Sequence, residues 1–172
     1  MTWDDLIIQN KRLLDDEANR YYFVAEPVKL NIEKAPSKEF ELSLHPTHRK
    51  GGRQFKTSTC FFVSKKDHEA MNKGEIYRLI ELFNFKFGEK PSYLDEDVKT
   101  FKEKGKAMIH YLPCKENIEA EIMMPNKETI RGLCENNIKK VKIGEVIQFE
   151  RFGFCRLDKI ENNKYYFWFT HN

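Results

Sequence analysis

The chain has 172 residues, enough for one ordinary domain or for two small ones that share a core. Charged residues make up 33% and apolar residues 40%, which predicts a soluble protein with a core and excludes a membrane span. The formal net charge of +3 permits a polyanionic partner but does not demand one. Any nucleic acid would therefore bind through a local basic patch.

The four cysteines are scattered along the chain, and no two of them form a C-x-x-C pair. They are Cys60, Cys114, Cys134 and Cys155. This spacing favours buried thiols in a reducing cytosol over a disulfide framework or a zinc site. The N-terminal residues show no signal-peptide pattern, so we expect a cytoplasmic protein with no membrane partner.

An amphipathic helix is predicted over residues 3–18, because apolar side chains such as Trp3, Leu6 and Leu13 fall on one stripe. Thr2 and Asp5 resemble a capping box at its start, with Asp where Glu or Gln is usual. A single helix of this kind needs a partner surface. That surface is either the β-structure that follows the helix or a domain that is missing from this chain.

Alternating apolar and polar residues predict about nine or ten short strands after this helix. The heavy aromatic content, with 14 Phe and 7 Tyr, favours strands as well. Many short strands, frequent turns and few helices are typical of closed or nearly closed β-barrels. Residues 45–56 contain a proline, two glycines and several cations, which predicts an exposed basic loop. Residues 88–105 are polar and predict a second exposed excursion.

The stretch 147–158 contains two alternating runs that meet at Gly153. Phe149 would face the core, whereas Gln148 and Arg151 would lie on an open polar face. Gly153 marks a bulge or the close approach of another backbone. Guanidinium and carboxamide groups form paired hydrogen bonds with base edges, so this face suits base recognition. From the spacing alone, however, a charged strand face exposed to water is the commoner interpretation.

No combination of nucleophile and base is evident, and no glycine-rich phosphate loop opens a helix. His45 and His48 form a His-x-x-His pattern in a loop that contains proline, which is a weak metal signal. Their alternative interpretation is a solvated loop whose imidazoles touch phosphate. We therefore expect no metal and no cofactor in this chain, and recognition chemistry rather than catalysis.

Six parts of the sequence resemble the C-terminal anticodon-binding half of archaeal and eukaryotic-type glutamyl-tRNA synthetases and their glutaminyl relatives, which are class I enzymes. In the family's order they are 19–30 (NRYYFVAEPVKL), 44–46 (LHP) with 52–54 (GRQ), 74–79 (GEIYRL), 106–112 (KAMIHYL), 130–135 (IRGLCE) and 144–154 (GEVIQFERFGF). The last is the most specific. The terminal Phe169-Thr170-His171 resembles the glutamate branch more than the glutamine branch.

This resemblance implies an all-β fold in which residues 21–172 form two interleaved Greek-key β-barrels of the ribosomal-protein type. It also identifies residues 1–20, with their short N-terminal helix, as the helical connector that follows the family's catalytic half. It implies tRNA as the partner, with unstacked anticodon bases lying across both barrels. The residues expected to contact the anticodon are Arg53, Gln54, Gln148, Arg151 and, on a looser match, Lys104 and Lys106.

The family's catalytic half has no counterpart in this sequence, since its His-Ile-Gly-His and Lys-Met-Ser-Lys-Ser signatures are absent. ATP and Mg²⁺ are therefore expected only in a missing catalytic half, and this chain alone is expected to have no activity. The first hypothesis is the tRNA-selecting part of a glutamate–tRNA ligase, with glutamate favoured over glutamine. The alternative is a free-standing tRNA-binding module or a protein-interaction domain that acts in trans.

Overall fold

The structure is a computed structural model that describes residues 2–172. Within them lie three α-helices, Trp3–Glu17 (α1), Lys65–Ala70 (α2) and Val98–Lys104 (α3), and a 3-10 helix, Asn136–Lys140 (η1). The strands are Arg20–Tyr21 (β1), Phe23–Ala25 (β2), Pro27–Asn31 (β3), Lys38–His45 (β4), Arg49–Thr57 (β5), Cys60–Ser64 (β6), Ile76–Leu79 (β7), Phe83–Lys86 (β8), Ser92–Asp95 (β9), Gly105–Ile109 (β10), Leu112–Pro113 (β11), Ile118–Met123 (β12), Thr129–Cys134 (β13), Val146–Phe149 (β14), Gly153–Glu161 (β15) and Lys164–His171 (β16).

The largest sheet has seven strands in the order β1-β14-β15-β16-β12-β13-β2. Its two end strands, β1 and β2, are separated by a single residue of the chain, so the sheet curls until it nearly closes. The remaining strands form sheets ordered β10-β7-β8-β9, β11-β6-β3 and β4-β5. The predicted all-β fold with barrel-like sheets and a short N-terminal helix is confirmed.

The buried side chains form two hydrophobic clusters, and one extended segment serves both of them. Tyr22 and Val24 belong to the first cluster, whose other members lie between residues 30 and 112. Tyr21 and Phe23 belong to the second cluster, whose other members lie between residues 118 and 167. Successive side chains of an extended chain point to opposite sides, so this segment divides its residues between the two cores. We call the boundary between the two clusters the seam.

Helix α1 begins with the predicted capping box, which is confirmed. The Asp5 backbone N–H donates to Thr2 Oγ1 at 3.2 Å, and the Thr2 N–H donates to the Asp5 carboxylate at 2.8 Å. These hydrogen bonds lower the pKa of Asp5 below its ordinary value. None of the residues of α1 is buried, and Trp3 and Leu13 are among its most exposed apolar side chains. No helix among residues 2–172 is long and apolar enough to cross a membrane.

The predicted basic loop at residues 45–56 is mostly wrong, because β5 occupies most of it. β5 pairs antiparallel with β4, and Phe40 lies opposite Phe55. Its alternate residues, Arg53 and Phe55, are buried, while Gln54 is exposed. The predicted exposure of residues 88–105 is confirmed, since none of them is buried, although β9 and α3 within this range were not predicted.

The expectation that all four cysteines are free thiols is wrong, because Cys60 and Cys114 form a disulfide. β6 and β11 are antiparallel neighbours, and their register places Cys114 opposite Cys60 with the two Cα atoms 5.5 Å apart. This separation lies within the range that a disulfide spans. Cys134 and Cys155 are free and buried, as predicted.

Candidate nucleic-acid interface

The stretch predicted as a polar recognition strand is a tight hairpin. β14 ends at Phe149 and β15 begins at Gly153, and these two residues lie opposite each other. Three residues form the turn, and Arg151 among them has a φ of +61°. Gly153 has a φ of +143°, and a Cβ placed there would lie 2.6 Å from the His171 carbonyl oxygen. The predicted close approach of another backbone at Gly153 is confirmed, whereas the predicted continuous polar face is wrong.

Arg151 reaches from this turn across the seam. Its Nη1 donates to the Met108 carbonyl oxygen at 3.0 Å and to His110 Nδ1 at 3.1 Å. Its Nη2 lies 3.8 Å from an Asp67 carboxylate oxygen on α2, and the side chain is 52% exposed. It also lines a cavity of about 480 Å³ at the seam. Part of the guanidinium is therefore anchored on the protein and part of it faces solvent.

Glu150, the neighbouring turn residue, lines both that cavity and a second one of about 330 Å³, which Arg20 and Arg53 line as well. Its carboxylate lies 3.4 Å from His110 Nε2. Burial raises the pKa of Glu150, but the hydrogen bond from His110 and the positive charges of Arg53 and Arg20 outweigh it. The pKa is therefore held below its ordinary value, and Glu150 is charged at neutral pH.

Gln148 lies opposite Arg20 in the parallel pairing of β14 with β1. Opposite residues of neighbouring strands put their side chains on the same face of the sheet. Arg20 Nε and Gln148 Oε1 are both buried, and neither has a hydrogen-bond partner among the described residues. An unpaired donor and an unpaired acceptor thus lie on adjacent strands. Sequence reasoning missed Arg20, although it belongs to the best-matching N-terminal segment, because the pairing joins residues 128 positions apart.

The sequence predicts Arg53 on an exposed basic loop, but the residue lies in the interior at the seam. It is 2% exposed, and Glu135, its partner, is 1% exposed. Arg53 Nε donates to Glu135 Oε1 at 2.8 Å, and Nη2 donates to Oε2 at 2.6 Å. The guanidinium also lies 4.6 Å from the centre of the Tyr22 ring.

The environment of this pair favours the charged form of Arg53. Burial lowers the pKa of Arg53, but the hydrogen bonds and the charge of Glu135 outweigh this effect, so the pKa is raised above its ordinary value. Glu135 Oε2 also accepts the Tyr22 backbone N–H at 2.7 Å, and Asn137 donates to Oε1 at 3.1 Å. The donors of Arg53 are thus engaged inside the protein, which fits a structural role across the seam.

The other three predicted contact residues are all exposed, but the structure does not bring them together. Gln54 lines a separate cavity of about 300 Å³ that contains neither Gln148 nor Arg151. Lys104 ends α3, and Lys106 lies on β10 with its Nζ 3.8 Å from a Glu75 carboxylate oxygen. Lys104 and Lys106 come shortly before Met108 and His110 in the chain, the two residues that accept hydrogen bonds from Arg151.

His45 does not belong to a solvated loop, which corrects one of the two interpretations of the His-x-x-His pattern. It is 3% exposed, and its Nε2 lies 2.6 Å from the Asp15 carbonyl oxygen. Its Nδ1 accepts the backbone N–H groups of Thr47 and His48, both at 3.2 Å. Within residues 2–172, no group of three or more His, Cys, Asp or Glu side chains is placed to hold a metal ion.

A barrel-like β fold with arginine and glutamine side chains at the seam between two cores has the chemistry that suits a domain for single-stranded RNA. Residues 18–110 match the family described as "tRNA synthetases class I (E and Q), anti-codon binding domain", and residues 108–158 match a second family with the same description. The chain belongs to this family, and the resemblance predicted from the sequence is confirmed. Both family descriptions name an anticodon-binding domain.

Several archaeal glutamate–tRNA ligases are similar to the chain. The one from Pyrococcus furiosus is 38% identical over 175 residues, which covers 95% of this chain and 30% of that protein. The one from Methanocaldococcus jannaschii is 33% identical over 176 residues, covering 99% of this chain and 31% of that protein. A Methanococcus maripaludis ligase is 34% identical, with 98% and 31% covered. The chain thus spans about a third of these relatives and is homologous to their C-terminal part.

Proposed function

We propose that the chain recognises the anticodon loop of a glutamate tRNA and so selects that tRNA for aminoacylation by a catalytic half outside this chain. The observation that carries the proposal is the unpaired donor of Arg20 beside the unpaired acceptor of Gln148. Buried polar groups without partners cost free energy and are uncommon, so such a pair favours a ligand that completes their hydrogen bonds.

The chemistry of the two groups matches the edge of an unstacked nucleobase. Each base edge offers hydrogen-bond donors and acceptors side by side, and RNA is read on these edges where the bases are single-stranded. Gln148 Oε1 would accept from the base, and Arg20 Nε would donate to it. Their positions on paired strands, rather than on a mobile loop, favour a fixed geometry for this contact.

Arg151 is proposed to contact a second anticodon nucleotide. Its described hydrogen bonds use only Nη1, and its side chain is half exposed beside a cavity. A guanidinium has five N–H donors, so several of them are available to a base edge or a phosphate. Lys104 and Lys106 would contribute phosphate contacts, which add affinity without reading sequence.

The remaining predicted contacts divide into two roles. Arg53 is proposed to hold the two cores together through Glu135 rather than to touch RNA, since its hydrogen bonds are made inside the protein. Gln54 stays a predicted tRNA contact, supported by its exposed side chain. Specificity for glutamate is supported by the names of the similar archaeal ligases and by the C-terminal Phe169-Thr170-His171.

A binding experiment with anticodon variants tests this proposal. The chain would be titrated with glutamate tRNA transcripts that differ at one anticodon base, and bound RNA would be measured by filter retention. Gln148→Ala and Arg151→Ala should each lose about 1–3 kcal/mol for the cognate tRNA and should relax the preference at one base. Arg156→Ala, on an exposed residue of β15, is the matched control. An equal loss for every anticodon would contradict base recognition.

ATP and Mg²⁺ are proposed to bind the catalytic half, and the exposed apolar side chains of α1 support a protein partner for this helix. The chain alone would then attach no glutamate to tRNA. Incubation with tRNA, ATP, Mg²⁺ and labelled glutamate checks this expectation, and any acid-precipitable label above background would contradict it.

A further inference from the structure

Arg151 lies on a turn beside the second cluster, but the atoms that accept its hydrogen bonds belong to Met108 and His110, across the seam. We propose that His110 is the positioning residue that fixes the Arg151 guanidinium for recognition of an anticodon base, an inference that rests on the proposed function. His110 follows β10 directly and is 7% exposed.

Both ring nitrogens of His110 are engaged by neighbouring turn residues. Nδ1 lies 3.1 Å from Arg151 Nη1, and Nε2 lies 3.4 Å from Glu150 Oε2. A guanidinium can only donate and a carboxylate can only accept. The ring must therefore carry its proton on Nε2, which faces Glu150, and leave Nδ1 free to accept from Arg151. One neutral tautomer satisfies both contacts.

The imidazole itself is held in place. The edge of the Tyr22 ring packs against it, with the ring centres 5.1 Å apart and the planes at 84°. Tyr22 is 1% exposed, and its backbone N–H is bonded to Glu135 of the buried ion pair. The position of His110 is thus determined by packing in the interior rather than by solvent.

Arginine has a long and flexible side chain, and free rotation would reduce the selectivity of any contact that it makes. His110 and the Met108 carbonyl oxygen both accept from Nη1, so together they fix one end of the guanidinium. Nη2 lies 3.8 Å from an Asp67 carboxylate oxygen, and the half-exposed side chain lines the cavity of about 480 Å³. β10 contributes to the first hydrophobic cluster, whereas the turn that carries Arg151 joins β14 to β15 of the seven-stranded sheet. The alignment of Arg151 therefore depends on contact between β10 and this turn.

Two substitutions of His110 test its hydrogen bonds to Arg151 and to Glu150 one at a time. The amide oxygen of His110→Asn can take the position of Nδ1 and still accept from Arg151, whereas His110→Gln places its amide near Nε2. We expect H110N to keep the ratio of Kd values for variant and cognate anticodons within about twofold of wild type. H110Q should lower that ratio about tenfold, as for one lost hydrogen bond to a charged group. His68→Asn on α2 is the matched control, and thermal unfolding reports whether each variant folds.

The outcomes distinguish this inference from the proposed function. If Arg151→Ala leaves the ratio unchanged, base recognition by Arg151 is overturned. If Arg151→Ala abolishes it while H110N and H110Q both keep it, the role of His110 is overturned and the proposed function stands. The ¹⁵N NMR signals of His110 in the wild-type chain give a test that needs no substitution. A proton on Nε2 supports the inference, and a proton on Nδ1 at neutral pH overturns it.

Discussion

Arg53 and Glu135 form a two-bond ion pair in the interior, with donor–acceptor distances of 2.8 and 2.6 Å. Arg53 comes from the β4–β5 hairpin, and Glu135 follows β13 of the seven-stranded sheet. Because Glu135 also accepts the Tyr22 backbone N–H, the pair joins three separate parts of the chain at the seam. It is thus one of the polar connections between the two cores, together with the contacts of His110 to Glu150 and Arg151.

Removal of one partner of this pair should destabilise the protein strongly. Arg53→Met would leave the Glu135 carboxylate buried without its counter-charge, at a cost of about 3–5 kcal/mol in the free energy of unfolding. Urea unfolding at pH 7 would measure this change. Lys56→Ala breaks an exposed pair with Glu39 and should cost less than about 1 kcal/mol. Similar losses for the two variants would contradict a structural role for Arg53.

The sequence predicts the dominance of short strands, the capping box and the family, because each of these depends on residues that are close together in the chain. It predicts only about nine or ten strands, whereas the structure has sixteen among residues 2–172. It misplaces Arg53 because a proline and two glycines resemble a loop, although Arg53 and Phe55 follow the alternation of an inward-facing strand. The partners that decide the site are remote in sequence. Glu135 lies 82 residues from Arg53, and Gln148 lies 128 residues from Arg20, so no local pattern can reveal either pair.

Gln148 should contribute to binding without contributing to the stability of the free protein. Its Oε1 is buried and unpaired among the described residues, so Gln148→Met removes an unsatisfied acceptor and adds apolar volume of similar size. The free energy of unfolding should stay the same or rise, while the affinity for cognate tRNA falls. Denaturant titration and filter binding of the same preparation would measure both quantities. A parallel loss of stability and affinity would instead identify Gln148 as a structural residue.

The two exposed lysines near β10 should determine how steeply affinity depends on salt. Each phosphate contact to single-stranded RNA releases condensed counterions and contributes about 0.7 to the slope of log K against log salt. Lys104→Ala and Lys106→Ala should therefore each reduce the slope by about that amount and weaken binding equally for all anticodons. Lys11→Ala on α1 serves as the comparison. An unchanged slope in both variants would place the RNA phosphates elsewhere.

Reduction of the Cys60–Cys114 disulfide should destabilise the protein. The bond closes a loop between residues 54 positions apart, and opening such a loop typically costs about 2–4 kcal/mol. Unfolding by urea with and without dithiothreitol, compared with Cys60→Ser/Cys114→Ser, would measure the loss. The other two thiols should stay unreactive in the folded protein, because burial raises the pKa of Cys155 to about 12 and that of Cys134 well above its ordinary value. A thiol assay that finds Cys60 and Cys114 reactive before unfolding and without reductant would contradict the disulfide.

Protonation of Glu150 at acid pH should lower the free energy of unfolding of the protein. The pKa of Glu150 in the folded protein lies below the ordinary value of 4.5, so the unfolded chain binds this proton more readily than the folded one does. The resulting stabilisation is present in full above the pKa of the unfolded chain and is lost as the pH falls through the lower, folded pKa. Glu150→Gln cannot titrate at this position and should show a shallower loss of stability between about pH 5 and pH 3. Free energies of unfolding at several pH values would measure this difference, and parallel profiles for the two proteins would show that Glu150 is not stabilised by its neighbours His110, Arg53 and Arg20.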